Sequence, residues 1–271
     1  MTLNLPSIEA AIAGTQFANH LHHLASTPST NTLALEAAQQ GASTGVWVAD
    51  AQTAGRGRGG HTWHSTPGDG LYVSILVRPT LVGADTLKLS LAAGLAASRA
   101  ISQICQHDID LRWPNDLMLH TPEGPEKKFG GILTESSMEA SGALAYAVIG
   151  IGMNLNHAAF PDELSSLATS LRLVLGHPVS REDILAQLLI ALESEINLLE
   201  SEIAGTRPPN TQPLAVRFGR ASSWVQNLRV QVDEDAGYTG ITSGLNPQGL
   251  LQVTLDDASI RIVRHGGVRR A

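Results

Sequence analysis

A nine-residue stretch, "GTRPPNTQP" at 205–213, constrains this chain's fold more than any other. Its paired prolines lack backbone donors and hold φ near one value, so neither a helix interior nor a central strand runs through it. Upstream, helical and strand-like segments are mixed; downstream, short strands follow one another between turn glycines. The break predicts two units, residues 1–212 and residues 213–271.

In the first unit, Ser7 to Gly14 reads as a short helix with a serine cap and a glycine stop. "LHHLAS" (21–26) reads as a strand, "STNTLALEAAQQG" (29–41) as a helix ended by Gly41, and "GVWVAD" (45–50) as a buried strand. "LYVSILVRP" (71–79) has strand composition and stops at Pro79. Residues 85–105 repeat apolar positions at helical spacing. "IDLRWP" (109–114), "KFGGILTESS" (128–137) and "YAVIGIGMNLN" (146–156) read as three more strands. "SLATSLRLVLG" (166–176) and "SREDILAQLLIALESEI" (180–196) read as helices, the second capped by Ser180. This irregular mixture predicts an α+β class with a mixed sheet, not a doubly wound one. The second unit reads as a small β-barrel of about five strands.

Composition narrows the function classes. At 43% apolar and 16% charged residues the chain is an ordinary globular protein. A net charge of −7 argues against a general nucleic-acid partner. Cys105 is the single cysteine, which excludes an internal disulfide framework and a cysteine zinc cluster. The N-terminus lacks a secretory pattern, and the longest nearly apolar window, "LSLAAGLAASRAI", is interrupted by Arg99. These features predict no membrane span and a soluble, cytoplasmic protein. The histidines show no H-E-x-x-H spacing, which disfavours a zinc enzyme.

Four segments can carry chemistry. "GRGRGG" (55–60) alternates glycines, which permit positive φ and expose amide donors, with Arg56 and Arg58, whose guanidiniums clamp anions. It matches neither a P-loop nor a dinucleotide fingerprint, and a flexible surface loop or an RGG-like segment has the same composition. "RWPND" (112–116) ends a strand and presents Asn115 and Asp116 at a turn, where they hydrogen-bond, hold a hydrated cation or merely close the turn. "KKFGGIL" sets Lys128 before two strand glycines, a mark of close approach by ligand or backbone, although a lone lysine is usually a solvated charge. "GIGMN" (150–154) is a tight strand end with Asn154 at its turn.

In this order, "STN" (29–31), "QTAGRGRGG" (52–60), "GLYVS" (70–74), "RWPND", "KFGGIL" (128–133) and "GIGMNLN" (150–156) resemble the biotin–protein ligases. The resemblance continues to "HGGV" near the C-terminus and covers nearly all of the chain after residue 20. It implies a catalytic domain of the biotin/lipoate protein ligase type followed by an SH3-like β-barrel. The implied reaction joins biotin to ATP with Mg²⁺, giving biotinyl-5′-adenylate, and then transfers biotin to a lysine of a biotin carboxyl carrier protein. Too few residues precede "STN" for the helix-turn-helix domain that some members carry, so no operator binding is expected. A homodimer is left open.

The resemblance also implies roles. Ser29, Thr30, Asn31, Gln52, Gly55, Arg56, Tyr72, Lys128, Gly130 and Gly131 would hold biotin. Arg56, Arg58, Trp63, Asn115, Asp116 and Asn154 would hold ATP and the adenylate, with Mg²⁺ near Asp116 and no assigned ligands. Lys128 and Arg58 would be catalytic, and the loop would act as a lid that orders as ligand arrives. Two departures stand out: Gly59 and His61 reduce the loop's charge, and Arg112 replaces the usual lysine before "WPND". The competing readings are a lipoate ligase-like acyltransferase and a non-catalytic biotin sensor.

Overall fold

Helix and strand signals in the first unit assemble one mixed sheet with helices on both sides. The computed structural model describes residues 3–121 and 124–271. In chain order the elements are α1 (Leu5–Ala11), β1 (Leu21–Leu24), α2 (Thr30–Gln39), β2 (Gly45–Ala49), β3 (Gly70–Val77), α3 (Thr86–Cys105), β4 (Asp110–Arg112), β5 (Asp116–Thr121), β6 (Gly124–Met138) and β7 (Leu144–Asn154). There follow α4 (Asp162–Ser165), α5 (Leu171–Leu175), α6 (Arg181–Ile203), α7 (Leu214–Arg220), β8 (Gln226–Val232), β9 (Tyr238–Leu245), β10 (Leu251–Thr254), β11 (Ile260–Val263) and β12 (Val268–Arg270).

The large sheet runs β1-β2-β3-β7-β6-β5-β4, with β1 and β2 parallel and the other neighbours antiparallel. This is the expected α+β mixed sheet. Strands β8 to β12 form a second, antiparallel sheet in the order β11-β10-β9-β8-β12. Helices α3 and α6 pack together across one face of the large sheet, where Leu89, Ile101, Leu188 and Leu192 are fully buried. Helix α2 covers part of the other face, its Ala34 and Ala38 meeting Trp47, Leu76 and Val148. Strand β3 is buried at every position because helices cover both of its faces. Among the described residues no helix is long and apolar enough to cross a membrane. Cys105 ends α3 against the core, and burial raises its thiol pKa.

Several local expectations change. The first helix begins at Leu5, not Ser7, because the Asn4 side chain accepts the Ser7 amide and Pro6 needs no helical donor. The helix expected over 166–176 shrinks to Leu171–Leu175, capped by Ser170. Leu167 instead closes a turn onto Leu164, and Ala168 forms an isolated parallel bridge with Lys128, whose backbone donates to Leu167 and accepts from Thr169, both at 3.0 Å. Elements without a clear signal include β5, whose six residues are too few to establish a period, α7, which starts behind Pro213 without a polar cap, the four-residue α4 and the three-residue β12. Helix α7 sits against α3 and β9 and brings the second sheet to the edge of the first.

Candidate active site

The strand period of two decides which side chains can share a site. On β3, Leu71, Val73, Ile75 and Val77 join the core with α3 and α6, so Tyr72 and Ser74 face the other side. On β7, Ile149, Ile151 and Met153 take the core and leave Gly150, Gly152 and Asn154 opposite. On β6, Ile132 takes the core side, and Gly131, Leu133 and Glu135 face away from it. Lys128 has the wrong parity for that face. A bulge corrects it: β5 pairs Leu117 with Gly130 and Met118 with Lys128, so Phe129 is an extra residue. Phe129 is fully buried in the core, and Lys128 emerges beside Gly131, where an added Cβ would lie 3.3 Å from its Cε. Its neighbour Lys127 points elsewhere, donating to the Ser165 carbonyl at 2.7 Å.

This face holds a narrow slot. Ser29, Thr30 and Asn31 enter it from the start of α2, and the buried Ser29 hydroxyl makes no capping bond. Gln52 Oε1 accepts from the Thr30 amide at 2.9 Å and from its hydroxyl at 3.1 Å, while Gln52 Nε2 donates to Ser65 at 3.2 Å. The Ser74 hydroxyl lies 2.7 Å from Thr30 Oγ1 and donates to Asn31 Oδ1. Gly150 lets Asn31 lie flat on the sheet, because a Cβ there would fall 2.1 Å from Asn31 Oδ1. Tyr72 is fully buried, and burial drives its phenol pKa well above the usual range.

The glycine-rich segment is a hairpin over the slot. The Gly57 amide donates to His61 at 2.7 Å and the Trp63 amide to Gly55 at 2.9 Å, around a 3-10 turn at Arg58–Gly60. Of the four glycines expected to supply positive φ, only Gly59 (68°) and Gly60 (80°) do so. Gly55 is required for a different reason: a Cβ would come within 2.7 Å of the Trp63 carbonyl. The Trp63 indole lies on the glycine floor, its Nε1 only 2.6 Å from where a Gly152 Cβ would be. That Nε1 is buried and has no hydrogen-bond partner among the described residues.

Trp63 also borders an outer groove of about 850 Å³ that reaches Asn154, Phe160 and Gly266. Gly57, Arg58, Trp63, Asn115 and Lys128 belong to both slot and groove. Lys128 Nζ lies 2.5 Å from Asp116 Oδ1, and Arg112 takes Asp116 Oδ2. Burial alone would raise the Asp116 pKa, but Lys128 and then Arg112 outweigh it and hold the carboxyl below its usual value. Arg112 also lies over the Trp224 ring, 5.2 Å from its centroid. Asn115 is pinned to β6, donating to the Ile132 carbonyl at 3.0 Å and accepting from its amide at 2.9 Å. Arg58 is exposed and makes no ion pair among the described residues.

Residues 23–154 match the model of the biotin/lipoate A/B protein ligase family. A biotin--[acetyl-CoA-carboxylase] ligase of Mycobacterium tuberculosis is 32% identical over 234 residues, covering 84% of this chain and 80% of that protein. The chain belongs to the biotin protein ligase family. Among solved structures, the biotin protein ligase of Aquifex aeolicus in complex with biotin and ATP superposes with a TM-score of 0.75 at 26% identity, covering 93% of this chain and 100% of that one. The bifunctional ligase/repressor BirA of Bacillus subtilis is 38% identical over 168 residues, 61% of this chain. The chain spans about half the length of the Bacillus BirA relatives that it matches.

Against this biotin protein ligase frame, most expected residues converge. Ser29, Thr30, Asn31, Gln52, Arg56, Tyr72 and Gly131 border the slot; Asp116 and Asn154 border the groove; Arg58, Trp63, Asn115 and Lys128 border both. Gly55 lies in the hairpin wall, packed against Trp63, Ser65 and Gln52. Gly130 does not line the slot. Strand alternation turns it toward Leu117, where a Cβ would meet Cδ1 at 2.8 Å. The expectation of Mg²⁺ near Asp116 meets an obstacle, since cations already hold both of its oxygens. Arg58, which has no ion-pair partner among the described residues, together with Lys128 and the orphaned Trp63 donor, suits an anionic, hydrogen-bonding ligand. Mg²⁺ therefore fits as an ion carried by phosphates, with few protein ligands. Asp110, His120 and Glu126 place donor atoms within 4.8 Å of one another, but Ser223 engages Asp110, and Trp224 and Arg270 engage Glu126.

Sequence reasoning missed Ser74, Gly150, Gly152 and Glu135. The period-two glycines of "GIGMN" were a usable signal for the floor, where Gly152 pairs with Gly131 and Gly150 with Leu133 across the β6–β7 ladder. Glu135 carried no local signal, because its partners come from residues 31 and 56.

Proposed function

We propose that this chain activates biotin with ATP and delivers it to a lysine of a biotin carboxyl carrier protein. The observation that carries the reading is the placement of Lys128 and Arg58 at the junction of the slot and the groove. A carboxylate in the slot and a triphosphate in the groove would meet there, between two cations that offset their mutual repulsion. A carboxylate oxygen attacks the α-phosphorus, the bond to the β-phosphate breaks, and pyrophosphate leaves. The neutral amine of the acceptor lysine then attacks the acyl carbon. An amide forms, AMP leaves, and the amine's proton passes to AMP or solvent.

In this reading Ser29, Thr30, Asn31, Gln52 and Tyr72 bind biotin's polar head, with Gly131 and the hairpin residue Gly55 shaping the slot. Lys128 and Arg58 stabilise charge at the reacting phosphorus. Trp63, Asn115, Asp116 and Asn154 serve the nucleotide side, Asp116 by orienting Lys128. Mg²⁺ would arrive with the triphosphate and neutralise the leaving pyrophosphate. Residues 1–212 supply the slot and most of the groove, and residues 213–271 form the small second unit, which adds Gly266 and Gly267 to the groove. The family relatives and the A. aeolicus structure with biotin and ATP support this reading. A cytoplasmic setting, in which ATP and carrier are both available, fits it.

The test is mass spectrometry of a biotin carboxyl carrier domain incubated with the protein, biotin and MgATP. A biotin-sized gain on one lysine, greatly slowed by Lys128→Ala, is expected. Biotin binding without transfer would replace this reading with a sensor; transfer of lipoate in preference to biotin would replace it with a lipoate ligase.

A further inference from the structure

The hairpin's two arginines are in different electrostatic states. Arg56 meets Glu135 through both guanidinium arms, Nη1–Oε1 at 3.1 Å and Nη2–Oε2 at 2.7 Å. Arg58, two residues on, has no carboxylate partner among the described residues. The same Glu135 Oε2 accepts from Asn31 Nδ2 at 2.9 Å, and Asn31 is the slot residue seated on Gly150 and bonded to Ser74. One carboxylate on the long central strand β6 thus joins the hairpin to the first turn of α2.

We propose that Glu135 is a positioning residue that ties the glycine hairpin to the slot floor through Arg56 and Asn31, leaving Arg58 as the hairpin arginine that meets substrate anions. A guanidinium engaged bidentately by a carboxylate is electrically spent, and an incoming anion would have to displace Glu135 to use it. Glu135 resists displacement because Asn31 holds it from the other side. A hairpin containing four glycines within six residues also loses much freedom on ordering, so it needs an anchor. The Arg56–Glu135 pair is its ionic link to the sheet. Asn31 in turn needs an acceptor for its amide donor; without Glu135, its remaining contact is the Leu133 carbonyl at 3.4 Å. The inference rests on the biotin–ATP reading only for the identity of the anions.

The test compares Glu135→Gln, Arg56→Gln, their double variant and Arg58→Gln in the full chain. Trypsin cleavage after Arg58 reports hairpin anchoring without any ligand. Calorimetry with biotin reports the slot, and pyrophosphate release at varied ATP and biotin separates kcat from each KM. Glu135→Gln and Arg56→Gln should each speed cleavage and weaken biotin binding roughly tenfold. The double variant should be no worse than either single, and the loss should fall mainly on biotin binding, with a smaller ATP defect than Arg58→Gln shows. Arg58→Gln should show the reverse, a depressed kcat or raised KM for ATP with biotin binding retained. Multiplying effects in the double variant, or equal ATP defects in Arg56→Gln and Arg58→Gln, would overturn the proposal. Should the wild type fail to bind biotin, the substrate reading falls, and the cleavage rates of the first three variants still decide whether Glu135 anchors the hairpin. Arg56→Gln lies on an exposed hairpin, so the comparison survives even if Glu135→Gln misfolds.

Discussion

Lys128 Nζ and Asp116 Oδ1 lie 2.5 Å apart across neighbouring strands, on a face that Lys128 reaches because Phe129 is bulged out of the β5–β6 ladder. The bulge joins two requirements: Phe129 fills the core, and the residue before it faces the slot. Asp116 then holds the ammonium group in place while Arg112 neutralises the second oxygen.

Lys128→Ala should lower ATP-dependent pyrophosphate release by about 10²–10³-fold, the usual cost of removing one charge-stabilising group, with circular dichroism unchanged. Asp116→Asn should also slow the reaction and destabilise the fold by about 1–3 kcal/mol, because Lys128 and Arg112 would face each other without a carboxylate. The Asp116 pKa is lowered by those cations, so its contribution is complete above the ordinary carboxylate range and disappears as pH falls through the lowered value. The Asn penalty, measured by urea denaturation, should therefore be full at neutral pH and shrink in acid.

Gly152→Ala should clear Trp63 from the floor and close the slot, since the new methyl would overlap the indole Nε1 at 2.6 Å. Trp63 lies on the hairpin, so the fold should survive while biotin affinity falls roughly tenfold or more, read by calorimetry. Gly150→Ala should do more damage, because its methyl meets buried Asn31 and displaces the first turn of α2. A thermal shift larger for Gly150→Ala than for Gly152→Ala is the expected order.

Trp224→Ala tests the joint between the two sheets. Trp224 is 4% exposed, carries Arg112 and Arg270 over its ring, and donates from Nε1 to Glu126 at 3.0 Å. Its loss should cost roughly 3–5 kcal/mol in a denaturation measurement. Activity should fall as well at temperatures where the variant stays folded, because Arg112 loses its platform behind Asp116.

His157 supplies a pH signature. It is 1% exposed, stacked on Phe160, with Nδ1 lacking a hydrogen-bond partner among the described residues. Burial first and His64 second lower its pKa from 6.5 to about 4, against the opposing pull of Asp69. Between those values the unfolded chain binds the proton and the folded one does not, so stability rises with pH. Acidification from pH 6.5 toward 4 should cost the wild type on the order of 2 kcal/mol relative to His157→Phe, with no further change in the difference above pH 7. A difference independent of pH would remove His157 from this account.

Much of the site was legible in the sequence because its chemistry is concentrated in short segments. "STN", "GRGRGG", "RWPND", "KFGGIL" and "GIGMN" each contribute residues that the fold gathers around one slot and groove. The mixed sheet followed from the irregular order of segments, and the second sheet from short strands beyond the proline break. Element boundaries were harder where local preference lost to tertiary pairing. Residues 167–169 have helical composition, yet Leu167 and Thr169 bond to the Lys128 backbone instead of continuing α5 toward the N-terminus.

What the amino-acid order determined alone is which chemistry is present: anion-binding arginines, a lysine beside paired glycines, and small residues where the backbone must approach. Tertiary structure decided which of these groups act together. It turned Gly130 to the core and Gly131 to the slot, gave Asp116 to Lys128, and neutralised Arg56 with Glu135 while leaving Arg58 exposed. The reason is physical: residue type and spacing are local properties, whereas strand register, a single bulge and the partner of a charge depend on contacts between segments far apart in the chain.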